Sequence, residues 1–374
     1  MSLPNYQISV SDALTGNVNA VFDGTAFDDF RFSRVLDDVG LFAATMPYST
    51  SLPDIFTLDS LVEVQRTSPI TGYLQTEDVY LTRLTHHFRE GDEEKWVVGG
   101  FSLNHLLARR IVDPVDDSGA AGGYSTKAGP ADDILVEYAR EQCGDLCLTP
   151  ARQYPHFSVA ASASIGENVG RRLRYDNLLE VFQDVCNQSQ LALMDFIIVR
   201  LTGNTLRLIV SPIGVNRSKS HNYPSAPFVE LNPLRGNMSN PSLLFDRKQE
   251  QNYVYALAQG PGESRIVTRI GGQGTNESPY NRIEFTTDVR NAEKGDTTTV
   301  GTSARAALYD KQAKREFTFK PTGTEPGGVY RLDYDVGDIV TCTFGVDSFD
   351  LRVRGVEIDI TSDNEEISVT VAPI

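Results

Sequence analysis

Residues 330–374 read YRLDYDVGDIVTCTFGVDSFDLRVRGVEIDITSDNEEISVTVAPI, and this stretch decides the fold class. Apolar runs alternate with polar turns to give short strands. Ile339-Val340-Thr341-Cys342-Thr343-Phe344 is followed by a turn at 345–348, then by Leu351, Val353, Val356 and Ile358, a turn at 361–365, and Ile367, Val369 and Val371. β-Branched residues suit a pleated, half-buried surface, and this spacing predicts a small antiparallel barrel. An earlier stretch repeats the order of strand, turn and strand. Val62-Glu63-Val64 lies over Ile339-Val340-Thr341, Leu81-Thr82-Arg83 over Leu351-Arg352-Val353, and GDEEKW at 91–96 over SDNEEI at 362–367. The pattern predicts a duplicated β unit.

Composition bounds what such a chain does. Its 374 residues suffice for two to four domains, and 30 Gly and 18 Pro with 40% hydrophobic residues indicate a folded, turn-rich protein. No run of 18 apolar residues is present, so no stable membrane insertion is expected. The opening MSLPNYQISVSDALTGN lacks a basic stretch followed by an apolar one, so no secretory signal is expected and maturation is placed in the cytoplasm of the producing cell. Four cysteines, Cys143, Cys147, Cys186 and Cys342, lack zinc-knuckle or redox spacing and read as buried free thiols. With 34 Lys plus Arg against 50 Asp plus Glu, the formal charge of −16 opposes stable binding to phosphate backbones, while leaving DNA free to pass.

The expected fold class is α+β, mainly β, with two similar small antiparallel barrels and an inserted α/β domain. The first β domain takes residues 1–115, with Trp96 as a core anchor and Ser102 as cap of a short helix carrying Leu103, Leu106 and Leu107. A Ser/Gly-rich linker follows at 116–129. The α/β domain at 130–215 holds two helices and a hairpin. Pro130 is read at the first helical position of PADDILVEYAREQC, with Asp132 and Asp133 favoured by the dipole. Asp176 is read as cap of DNLLEVFQDVCNQS, where Leu178, Leu179, Phe182, Val185 and Cys186 form a buried stripe. The hairpin turns at Thr202-Gly203-Asn204. A Pro-rich connection at 216–245 carries Pro224, Pro227, Pro233 and Pro241. The second β domain is assigned to 246–285 and 320–374. Between them, 286–319 is a polar loop and a helix capped by Thr302 or Ser303 and running to about Glu316.

Catalytic machinery is missing from this reading: no catalytic residue, no metal ligand and no cofactor site is assigned. Asp117-Ser118-Gly119 is the tripeptide of aspartic proteases, but it stands in a Ser/Gly loop without a second copy. Gly260-x-Gly262 and Gly272-x-Gly274 lack the third glycine of a dinucleotide fingerprint and read as β-turns. His86-His87 falls on a strand, where neighbours face opposite sides and do not share a metal. No HExxH, GxSxG or Walker lysine occurs, and acidic turns such as 90–94 read as solvated faces.

Several segments, taken in order, resemble the tail-tip (baseplate) hub proteins of long-tailed bacteriophages, a siphophage family related in fold to contractile-phage baseplate hubs. FSLNHLLARRIV resembles the end of that family's first barrel and KAGPADDILVEYAREQCG its first helix start. RRLRYDNLLEVFQDVCNQS resembles the next helix, YALAQGPGESR the glycine-rich strand turn, and LDYDVGDIVTCTF with VRGVEIDIT the closing barrel. The stretch 216–240 matches least. The resemblance implies a homotrimer whose six β units meet a sixfold tail tube or distal-tail ring. It also implies a tape measure protein, a spike or fibre protein and transiently passing DNA as partners, a virion location, and no turnover. A spike or lysin domain is expected on a separate protein. Three alternatives remain: a host-surface glycan-binding module, a tail-associated peptidoglycan hydrolase, and the hub of a contractile injection system.

Overall fold

The computed structural model describes residues 5–68, 72–116, 123–188, 194–212, 228–260, 265–272, 275, 278, 280–289, 292, 295–322, 327–345, 347–361 and 364–373. The expectations for Asp117-Ser118-Gly119, Pro224, Pro227, Gly262 and Gly274 lie outside them. The first unit holds β1 (Tyr6–Ser11), β2 (Val18–Asp23), β3 (Asp29–Val35), β4 (Leu41–Pro47), β5 (Leu61–Thr67), β6 (Leu74–Glu90) and β7 (Glu93–Ser102). Two single-turn helices, α1 (Leu52–Ile55) and α2 (His105–Ala108), sit at its connections. Alternation makes these strands: Tyr6, Ile8 and Val10, then Phe30 and Phe32, then Phe42, Ala44 and Met46 all turn to one core. Trp96 joins them. Ser102 ends β7 rather than capping α2, because its Oγ is taken as acceptor by the Gly40 N–H at 2.9 Å. Asn104 precedes α2 without a capping bond; its side chain donates to the Asp38 carbonyl and accepts from the Ile198 N–H.

An α/β layer follows, comprising β8 (Ser125–Pro130), α3 (Ala131–Gln142), β9 (Phe157–Val159), β10 (Asn168–Leu173), α4 (Leu178–Gln188), β11 (Met194–Arg200) and β12 (Leu206–Pro212). The stripe Leu178, Leu179, Phe182, Val185 and Cys186 packs in one core with Phe196 and Ile198 of the β11–β12 hairpin. Pro130 stands one residue before α3, with extended ψ, because it also closes the β8–β10 ladder opposite Asn168. Asn177, not Asp176, caps α4: its Oδ1 accepts the Leu179 N–H at 3.0 Å, while Asp176 accepts from Arg174 and closes the preceding turn.

The stretch expected as a Pro-rich connection supplies two strands, β13 (Glu230–Leu231) and β14 (Met238–Asp246). Pro241 is tolerated because β14 is an edge strand and its register shifts between Ser239 and Ser242. Residues expected at the start of the second β domain form instead a separate sheet of β15 (Tyr253–Leu257), β16 (Val267–Gly271) and β17 (Glu284–Asp288). α5 (Thr297–Asp310) covers it through Val300, Ala304 and Leu308. Asp296 caps this helix, accepting the Thr299 N–H at 2.9 Å, so Thr302 falls mid-helix and donates back to the Thr298 carbonyl. Glu316 already lies in β18 (Lys314–Pro321), ahead of β19 (Ile339–Phe344), β20 (Asp347–Thr361) and β21 (Glu365–Pro373).

One thirteen-stranded sheet carries both β units, in the order β14-β18-β21-β20-β3-β4-β7-β6-β5-β1-β2, with β19 on β20 and β13 on β19. The fold is therefore α+β and mainly β, two similar β units with an inserted α/β layer. Both units contribute to one core, where Phe30 and Phe32 meet Ile358 and Ile360 across the β3–β20 seam.

Candidate functional site

The duplication expected from the sequence is present as a repeated register. The run β3-β4-β7-β6-β5 of the first unit corresponds to β14-β18-β21-β20-β19 of the second. In both, the third and fourth strands break register at a bulge, at Arg83 between Thr82 and Leu84 and at Arg354 between Val353 and Gly355. Anchored there, the pairs coincide along the ladders: Tyr80↔Ser102 with Leu351↔Pro373, Thr85↔Val98 with Val356↔Val369, and His87↔Trp96 with Ile358↔Ile367. The other side agrees, Leu61↔Leu81 with Ile339↔Arg352 and Val62↔Tyr80 with Val340↔Leu351. Bulges are set features of a sheet, so a shared one fixes the correspondence of the two units.

Trp96 over Ile367 is as the sequence predicts, but Val62 corresponds to Val340 and Leu81 to Arg352, each one residue from the expected match. A slip of one residue turns every side chain to the other face. Leu61 and Val62, like Ile339 and Val340, are all buried, so these strands lack the alternation that would fix their phase.

Charged groups clamp the two units beside the seam. Arg34 of β3 donates to the Tyr330 hydroxyl and to Asp335 Oδ1, both at 2.6 Å. Arg331 holds the other oxygen of Asp335 at 2.7 Å and donates to the Thr76 carbonyl, while Tyr330 donates to Glu77 at 3.3 Å. Burial pushes the Glu77 carboxyl up; for Asp335 the Arg34 and Arg331 guanidiniums outweigh the effect of burial and hold it below the usual range. A second clamp joins Arg66 of β5 to Glu365 of β21 in a two-bond fork of 2.7 and 2.9 Å, with the Tyr6 hydroxyl donating to the same carboxylate. None of these residues is marked by a motif: apart from Arg331 and Asp335, which are four positions apart, the partners lie about 250–360 positions away in sequence.

Asp37 fixes the α/β layer to the first unit. Its Oδ1 accepts the Phe196 N–H at 3.0 Å, and its carbonyl accepts from Gln183. Burial raises its carboxyl to about 6 against the opposing charges of Arg352 and Arg354. Beside it a cleft of about 440 Å³ is lined by Asp37, Asp38, Glu180, Asp184, Asp310 and Arg354, among others. Five carboxylates against one guanidinium disfavour an anionic ligand. Among the described residues no group of three or more His, Cys, Asp and Glu is arranged to hold a metal. His86 and His87 part as strand geometry requires, His86 stacking on Phe88 and His87 on Tyr48 with Glu94 3.3 Å away. All four cysteines are buried and free, and burial pushes the Cys143 thiol up to about 12. No described helix is long and apolar enough to cross a membrane.

A family model described as Siphovirus ReqiPepy6 Gp37-like protein matches residues 14–371. The chain belongs to that family. No curated protein matches this Gp37-like chain. Among solved structures it is similar to the 43 kDa tail protein of prophage MuSo2 from Shewanella oneidensis, at 10% identity and a TM-score of 0.61, covering 99% of this chain and 98% of that one. The tail protein from Neisseria meningitidis MC58 follows at 12% identity and TM-score 0.56, covering 98% and 96%. A chain of the Francisella PdpA-VgrG complex matches at 10% identity and TM-score 0.54, over 99% of this chain but 53% of that one. At these identities the likeness is one of fold: the Gp37-like chain has the fold of phage tail proteins.

Proposed function

We propose that this chain is a structural virion protein, the tail-tip or baseplate hub, working as a homotrimer. It adapts a sixfold tail tube or distal-tail ring to a threefold spike or fibre and lines part of the channel through which DNA leaves. The observation that carries the reading is the repeated register: two units with one strand order and one bulge, joined edge to edge in a single sheet. Three such chains present six near-equivalent units, which is how a threefold object meets a sixfold one. A net charge of −16 suits a passage that DNA slides through without sticking.

The hub lies on the virion, is made in the cytoplasm of the host bacterium, and turns over no substrate. Its partners are the tube or distal-tail ring above, the tape measure protein within, and the spike or fibre below. Membership of a siphovirus family favours a phage tail over an injection system for the same fold. Cryo-electron microscopy of purified tails tests this. Three copies in one ring at the tip are expected; six copies, or a position along the tube, would refute it. Clearing of a peptidoglycan zymogram, abolished by one carboxylate substitution, would show a hydrolase instead.

A further inference from the structure

The two units are equivalent, yet their outer edges are in different states. The edge of β20 from Gly355 to Thr361 is covered by β3, running Val35 to Asp29. The equivalent edge of β6, Leu84 to Glu90, is covered by no strand among the described residues, since β5 pairs with β6 only as far as Leu81. Likewise β3 has a neighbour on both sides, while among the described residues its equivalent β14 pairs with β18 alone.

Burial follows the same division. Phe42↔Phe32 in the first unit corresponds to Phe317↔Leu243 in the second, so Leu243 stands where Phe32 does and Phe245 where Arg34 does. Phe32 is 2% exposed with β20 alongside; Leu243, Leu244 and Phe245 are 43%, 50% and 47% exposed, and Leu84 on the opposite open edge is 56% exposed. Each open edge presents backbone donors and acceptors beside apolar side chains, the arrangement that recruits another strand.

We propose that the β14 edge of one chain pairs antiparallel with the β6 edge of a second copy, repeating between molecules the β3–β20 seam found within each. This rests on the hub reading and specifies the surface through which its copies meet. The seam also sets the register. Phe32 opposite Ile358 becomes Leu243 opposite His87, Ser33 opposite Glu357 becomes Leu244 opposite His86, and Arg34 opposite Val356 becomes Phe245 opposite Thr85. Leu243 and Phe245 then reach the second copy's core beside Trp96 and Val98, which lie opposite His87 and Thr85. Three chains joined this way use every edge of this type and close a ring.

Paired cysteines test the register, because directly opposed strand residues have Cα atoms about 4.5–5.5 Å apart, within disulfide reach. The full-length variant Leu244→Cys with His86→Cys is oxidised and run without reductant, next to each single variant. Ser33→Cys with Glu357→Cys serves as the within-chain control. Covalent dimers and trimers from the first pair, absent from the single variants, are expected. Light scattering on Leu243→Asp with Phe245→Asp is the second measurement; these residues are exposed in the single chain, so the trimer should be lost with the monomer's melting temperature unchanged. A trimer that does not cross-link while the control does would overturn the pairing and leave the hub reading standing. A chain that stays monomeric and uncross-linked at every concentration would also overturn it. Three cross-linked copies found anywhere but the tail tip would sink the hub reading and keep the pairing.

Discussion

Replacing Asp37 with Asn should change how stability depends on pH, and the sign follows from burial. The carboxyl is raised from the ordinary 3.8 to about 6, with burial as the main cause. Between those values the folded chain holds a proton that the unfolded chain has released. Unfolding free energy therefore falls as pH rises through that window and stays lower above it. At about 1.36 kcal/mol per pH unit, the gap between 3.8 and about 6 corresponds to about 3 kcal/mol. Asn keeps the acceptor for the Phe196 N–H and tolerates the left-handed backbone, φ 55°, at this position. It cannot titrate. Urea unfolding of both proteins at several pH values from about 4 to about 8 measures the effect. Whatever constant offset the substitution introduces, the Asn variant should gain on the wild type by about 3 kcal/mol across the window. A difference that stays flat with pH, or one that shrinks as pH rises, would refute the reasoning.

Other expectations follow from the packing. Gly100→Ala places a Cβ 2.4 Å from the Leu81 carbonyl oxygen opposite the bulge and should cost about 1–3 kcal/mol or more in urea unfolding. Gly301→Ala, with open space in α5, should stabilise by about 0.5–1 kcal/mol and serves as its control. Glu365→Ala strands Arg66 in a nearly buried position and should cost about 3–5 kcal/mol; a double-mutant cycle with Arg66→Met should recover much of it. In a gel-shift assay, the purified chain should leave duplex DNA unretarded at physiological salt, as expected from a charge of −16.

Much of the fold was legible in the sequence because alternation is a local signal. Phe30 and Phe32, Phe42 and Ala44, and Val369 and Val371 declare their strands, and the stripe on α4 declares its helix. Helix starts were less legible, since Asp176 and Asn177 are equally good caps by type and only the geometry separates them. β14 was read as connection because Pro241 argues against a strand, although an edge strand forgives a missing N–H. The clamps about Asp335 and Glu365 could not be read at all: they unite residues from opposite ends of the chain, and nothing local marks an arginine that will be buried.

The β3–β20 seam has a consequence for how such a particle comes together. Because both of its edges belong to one polypeptide, that junction forms at a fixed effective concentration set by the chain, however dilute the protein. Only the junctions between chains respond to supply. In the proposed ring, units fused in pairs halve the junctions that must form between chains, from about six to about three, and let alternate positions around the axis acquire different loops without losing their common frame.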